Sequence, residues 1–81
     1  MAKILYFATL VSELGLDAEE LELPSDVSHV SQLLALLRGR GDLWNERLVD
    51  DQVRVVVNKQ FAEATTSVMN SDEIAIIPLR F

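Results

Sequence analysis

Val30, Leu33, Leu34 and Leu37 recur at i, i+3, i+4 and i+7, the stripe of a helix with one apolar side. No other part of the chain carries that period so clearly. Ser28 stands ahead of the stripe as a candidate N-cap, its oxygen able to accept from first-turn N–H groups. Gly39 and Gly41 break the pattern behind it, and Arg38 and Arg40 lie where cations offset the helix dipole. A lone helix with one apolar side must lie on something. Most of the remaining apolar stretches read as strands, so the expected partner is a sheet and the expected class is a two-layer α+β domain.

Lys3 to Leu10 mixes β-branched, aromatic and aliphatic residues, with Ile4, Tyr6 and Ala8 on one face and Leu5 and Phe7 on the other. A turn is expected around Gly15. Glu19-Glu20-Leu21-Glu22-Leu23 then suits a half-exposed strand with leucines inward and carboxylates in water. Pro24 and Asp26 stop it, so the first two strands form a hairpin. After the helix, Leu43, Trp44, Arg47 and Leu48 allow one more short helical turn, capped by Asp42. Gln52 to Val57, with valine at 53, 55, 56 and 57, is a central strand. Asn58-Lys59-Gln60 is a tight turn in which Asn58 can take a left-handed conformation. Phe61-Ala62 resumes a short strand, Asn70-Ser71-Asp72 turns again, and Glu73 to Pro78 is the last strand. Strand, strand, helix, strand, short strand, strand is the order of the β-grasp (ubiquitin-like) arrangement. It predicts a mixed sheet of four to five strands with one main helix packed across one face. The helix forms a crossover long enough to leave the strands it joins parallel. One domain spans residues 1–81, with 78–81 as its C-terminal tail.

Composition narrows function by exclusion. The chain has 81 residues, no cysteine, one histidine and three glycines, so most nucleophile, zinc, thiol and phosphate-loop chemistries lack their parts. Thirteen acids oppose seven bases, for a formal charge of −6. That balance makes nucleic acid and anionic membrane surfaces poor partners. No apolar run approaches the roughly 18–20 residues needed to cross a bilayer. Glu13 and Asp17 interrupt the apolar start before a cleavage site could follow it, and a cytoplasmic location is the default expectation.

Individual residues add little chemistry. His29 has no acid–base partner placed by spacing, and a surface role is expected. Glu13, Asp17, Glu19, Glu20, Glu22 and Asp26 place six carboxylates in 14 residues. They read as a solvated strand edge kept from aggregating by charge, or as a docking face for a basic partner. Asp72-Glu73 reads as an ordinary turn, and neither a metal site nor a catalytic residue is predicted. Trp44 is expected to lie over the core as a lid, with an interface anchor as the alternative. Phe7, Phe61 and Ile77 form an exposed apolar patch if their strands neighbour one another and these positions face away from the helix; otherwise they are core.

The opening Lys3-Ile4-Leu5-Tyr6-Phe7-Ala8 with Glu13-Leu14-Gly15, the Val30-Leu33-Leu34 helix and the Trp44 segment resemble the MoaD family. So do Val55-Val56-Val57-Asn58, the turn at Asn70 to Glu73 and the closing Ile74-Ala75-Ile76-Ile77-Pro78. MoaD is the small, sulfur-carrying subunit of molybdopterin synthase in molybdenum cofactor biosynthesis. The related thiamine-pathway carrier ThiS is similar in fold but lacks the fuller region around Leu43 to Leu48. The resemblance implies a carrier, not an enzyme by itself. An activating enzyme of the MoeB type uses ATP to adenylate the C-terminal carboxylate, which becomes a thiocarboxylate. The tail then enters the large, MoaE-type synthase subunit and delivers sulfur. The same resemblance makes Phe7, Phe61 and Ile77 the contact face and Pro78, Leu79, Arg80 and Phe81 the inserting segment; no bound cofactor is implied.

The family tail ends in two glycines, because a chain passing narrow channels must lack Cβ atoms. Here the chain reads Leu79-Arg80-Phe81, and the benzyl group of Phe81 is expected to jam such a channel. A chain cut or altered before its glycines, a paralogue that keeps only partner binding, and a divergent tail are the open explanations. A non-conjugating ubiquitin-like interaction module or a ThiS-like carrier is the alternative function.

Overall fold

The computed structural model describes residues 1–79. Its order is β1 (Ala2–Tyr6), α1 (Thr9–Leu14), β2 (Ala18–Leu21), α2 (Val30–Arg38), α3 (Asp42–Arg47), a 3-10 turn (Asp50–Gln52), β3 (Val53–Val57), β4 (Gln60–Ala62) and β5 (Glu73–Pro78). The five strands form one sheet in the order β2-β1-β5-β3-β4. β1 and β5 are parallel at its centre, and every other pairing is antiparallel. Hence β2 and β3, the strands that α2 joins, run the same way although two strands separate them. This is the β-grasp sheet expected from the element order.

Alternation along the strands assigns the two faces. Ile4 and Tyr6 of β1, Val53, Val55 and Val57 of β3, and Ile74 and Ile76 of β5 are buried on one side. There they join Val30, Leu33, Leu34 and Leu37 of α2, with Leu10, Leu23, Leu48 and Val68 closing the margins. The Val30, Leu33, Leu34 and Leu37 stripe is therefore the helix half of the core. The buried side chains are aliphatic apart from Tyr6, and each contributes about 1.5–3 kcal/mol on burial.

The first hairpin departs from expectation. β1 stops at Tyr6, not Leu10, and Thr9–Leu14 is a helix where a turn was predicted. The cause is local: Ala8 takes φ 54° and ψ −133°, which ends the ladder and swings Leu10 back into the core at 1% exposure. Ala8, placed with Ile4 and Tyr6 by the sequence reading, is exposed instead. Gly15, at φ 83°, closes α1 in the left-handed conformation, its N–H donating to the Val11 carbonyl at 3.0 Å. Six helical residues are too few to show a period against the surrounding apolar run.

The caps also shift by a residue. His29, not Ser28, is the N-cap of α2. The Gln32 side-chain oxygen accepts from the backbone N–H groups of Ser28 (2.8 Å) and His29 (3.0 Å). The first helical N–H groups, of Val30 and Ser31, donate to the carbonyls of Thr66 and Ala64, 3.0 Å each. The β4–β5 connection thus satisfies donors that a helix start leaves open. Gly41, at φ 157°, precedes α3, and Asp42 is its first residue, not its cap. Asn58 (φ 50°) and Lys59 (φ 71°) both adopt left-handed backbone between the paired Val57 and Gln60, the two-residue turn that matches strand twist.

Candidate functional site

The helices pack against one side of the sheet. The residues that alternate with the core point to the other: Lys3 and Leu5 of β1, Glu73, Ala75 and Ile77 of β5, Arg54 and Val56 of β3. Cross-strand register sets them in rows. Ala18, Leu5, Ala75, Val56 and Phe61 are successive Cα partners across all five strands. One row further along β5, Ile77 is partnered with Arg54. In the opposite direction, Glu20, Lys3 and Glu73 form a charged row. An apolar band therefore crosses the open face, bounded by charge at one end.

The sequence-predicted contact residues lie on or beside this band. Phe61 is 77% exposed on the edge strand β4, and the guanidinium of Arg54 sits 5.3 Å from its ring centroid. Ile77 is half-buried in the central strand β5. Phe7 continues the Lys3–Leu5 alternation one residue past β1 and is 42% exposed. Leu5, Ala75, Val56 and Arg54 complete the face, and the sequence reading had not singled them out. Their signal was present in the period of two, but it needs the strand order before it can be used.

The expected tail starts later than predicted. Pro78 is buried at the end of β5, with Val53 as its register partner, so it belongs to the sheet. Leu79 still donates its N–H to the Gln52 carbonyl at 2.9 Å and is about half exposed. Arg80 and Phe81 lie outside the described residues. Because β5 is central and parallel to β1, it ends in the middle of the sheet, on the edge that carries Ile77 and Phe7.

The other candidates resolve into structural roles. Glu19 shares the covered side with Leu21, and its carboxylate accepts from the Tyr6 hydroxyl (2.7 Å) and from both terminal nitrogens of Arg40 (2.7 and 2.8 Å). Arg40 beside it holds the Glu19 carboxyl below its ordinary range. Burial first, then the accepting carboxylate, pushes the Tyr6 phenol above its own. Trp44 packs edge-on to Tyr6 (centroids 5.7 Å apart) under the Arg40 guanidinium at 4.7 Å, closing the core as a lid. Of the acidic run, Glu19 and Glu13 are neutralised, the latter by Arg47 at 2.7 Å. Asp72 accepts from Asn58 and from the Met69 N–H, both at 2.8 Å, and so ties two turns together. His29 is exposed. Among the described residues, no three His, Asp or Glu side chains gather as metal ligands, and no helix is long and apolar enough to cross a membrane.

Comparison with known proteins bears on what such a face is for. The sequence model of the ThiS family matches residues 4–79. The chain belongs to the ThiS family. This carrier-type domain also superimposes on solved structures. A putative molybdopterin converting factor, subunit 1, from Pyrococcus furiosus matches with TM-score 0.79 and 25% identity, over 95% of this chain and 94% of that one. Small archaeal modifier protein 1 from Haloferax volcanii matches with TM-score 0.77 and 23% identity, over 95% and 94%; it shows shared fold. No curated protein matches in sequence. The fold is thus that of ThiS/MoaD-type sulfur carriers and ubiquitin-like small modifiers.

Proposed function

We propose that this ThiS-family domain is the sulfur-carrying small subunit of molybdopterin synthase. The carrying observation is the uncovered apolar band across the sheet, continuous with the end of β5. A surface of that kind on a small domain supports a protein contact. In this reading Phe7, Phe61 and Ile77 anchor a MoaE-type large subunit, while the segment after Pro78 enters its active site in a form that ends in Gly-Gly, which Leu79-Arg80-Phe81 lacks. A MoeB-type activating enzyme uses ATP to adenylate the terminal carboxylate, and a sulfur donor displaces AMP to leave the thiocarboxylate. The domain supplies the docking surface and the terminus; the partners supply the catalytic groups. The likeness to the P. furiosus converting-factor subunit supports this pathway.

A second reading is a carrier for the thiamine pathway, favoured by the family whose sequence model matches. The test incubates the chain, and a version extended by Gly-Gly, with ATP, a sulfur donor and either a MoeB-type or a thiamine-pathway activating enzyme. Intact mass spectrometry reads the outcome. A carrier gains the mass of one oxygen-to-sulfur exchange with its own activating enzyme only. A non-conjugating interaction module gains none in either form with either enzyme.

A further inference from the structure

The positive charges of this acidic domain are sorted between its two sides. On the helical side each arginine is consumed internally. Arg38 donates to the Leu48 carbonyl (2.9 Å) and pairs with Asp50 (3.1 Å), Arg40 grips Glu19, and Arg47 holds Glu13. Among the described residues, the cations outside such pairs are Lys3, Arg54 and Lys59. Lys3 lies in register between Glu20 and Glu73, and Lys59 occupies the β3–β4 turn. Arg54 alone stands inside the apolar part of the open face, partnered in register with Ile77 and held over the Phe61 ring. Asp50 and Glu63 line the groove beside it, yet neither comes within 4 Å as an ion pair.

An arginine packed on an aromatic ring is oriented before any partner arrives, so its five N–H donors lose little freedom on binding. Covering this face with a purely apolar surface would strip water from the guanidinium and leave those donors unsatisfied, which is costly. Covering it with a surface that carries a carboxylate opposite Arg54 satisfies them bidentately. Elsewhere the −6 chain repels an acidic partner, so attraction and repulsion together select one docking orientation. We infer that the partner of the open face is a protein surface with an apolar ridge to meet Phe61 and Ile77 and a carboxylate placed at its margin to pair with Arg54. The inference rests on the docking role proposed above and adds the chemistry that fixes partner and register.

The test is calorimetric titration of the chain into purified molybdopterin synthase large subunit and, separately, into the adenylating enzyme. It uses wild type, Arg54→Lys, Arg54→Gln, Arg54→Glu and the equal-charge control Lys59→Gln, with thermal melts confirming that each is folded. For at least one of the two proteins, Arg54→Gln should weaken binding about tenfold and Arg54→Glu about a hundredfold, with Arg54→Lys weaker than wild type but tighter than Arg54→Gln and with Lys59→Gln within about threefold of wild type. Arg54→Glu binding like wild type overturns the paired carboxylate and leaves the docking role standing. So does an equal loss in Lys59→Gln, which would make the effect one of net charge. Wild type binding neither protein overturns the docking role and the inference together. Sedimentation of the chain alone should give a monomer; a dimer split by Arg54→Glu would put a second copy on this face and overturn the inference.

Discussion

The two faces of one sheet use the same strands to opposite ends. Along β5, Ile74 and Ile76 are completely buried in the core, whereas Ala75 and Ile77, which alternate with them, are only partly buried. Along β3 the split is Val53, Val55 and Val57 against Arg54 and Val56. The covered face is where folding free energy resides, because water leaves it when α2 docks. The open face keeps apolar residues that the fold does not require. Such residues expose the chain to aggregation unless something covers them, and a carrier that docks onto larger proteins supplies that cover. A change on one face should therefore read out in stability, and a change on the other in binding.

The sharpest stability effect belongs to the covered face. Leu33→Ala deletes a side chain with no exposed surface and should cost about 3 kcal/mol, lowering the melting temperature by more than about 10 °C. Chemical denaturation measures it. A loss below about 1 kcal/mol would mean that the α2–sheet layer is looser than the packing implies.

A smaller effect is expected where the layers are joined by charge. Arg40→Gln removes the cation from Glu19 and from the Trp44 ring. The pair is partly exposed, so about 1 kcal/mol is expected by the same denaturation measurement.

Acid should expose the same junction. Native Glu19 stays ionised to lower pH than in the unfolded chain, so the unfolded state takes up the proton first. The Glu19 contribution is complete above the unfolded carboxyl value, about 4.5, and is lost as pH falls through the depressed folded one. Glu19→Gln should flatten that acid limb in melts taken over the range. Tyr6 works in the other sense: its raised value gives a contribution that is complete below about pH 10 and declines above it.

The open face should show the smallest stability change of all. Phe61→Asp and Phe7→Asp should each move stability by under about 0.5 kcal/mol while abolishing binding to the large subunit. Unfolding of either variant in circular dichroism would make those side chains part of the core and erase the distinction between the faces.

Strong periods carried most of the fold into view. The α2 stripe, the valines of β3, the Asn58 turn and the Glu73–Pro78 strand are each decided by their own residues. What escaped was decided elsewhere. α1 hides inside an apolar run because the break comes from one backbone angle at Ala8. Glu19 looks solvated in its segment and is held by Arg40, distant in sequence. The cap of α2 comes from Gln32 and from the carbonyls of the β4–β5 connection. Of the candidate site, Phe7, Phe61 and Ile77 were visible as apolar residues of three strands. Their shared face, and the place of Arg54 in it, required the order β2-β1-β5-β3-β4, which no local pattern states.

Amide chemical-shift mapping during titration with the synthase large subunit puts the division of labour to its plainest trial. Perturbations gathered on Leu5, Arg54, Val56, Phe61, Ala75 and Ile77 would show the uncovered side meeting its partner. Perturbations gathered instead on Gln32, Ala35 and Leu36, the solvent side of α2, would contradict it.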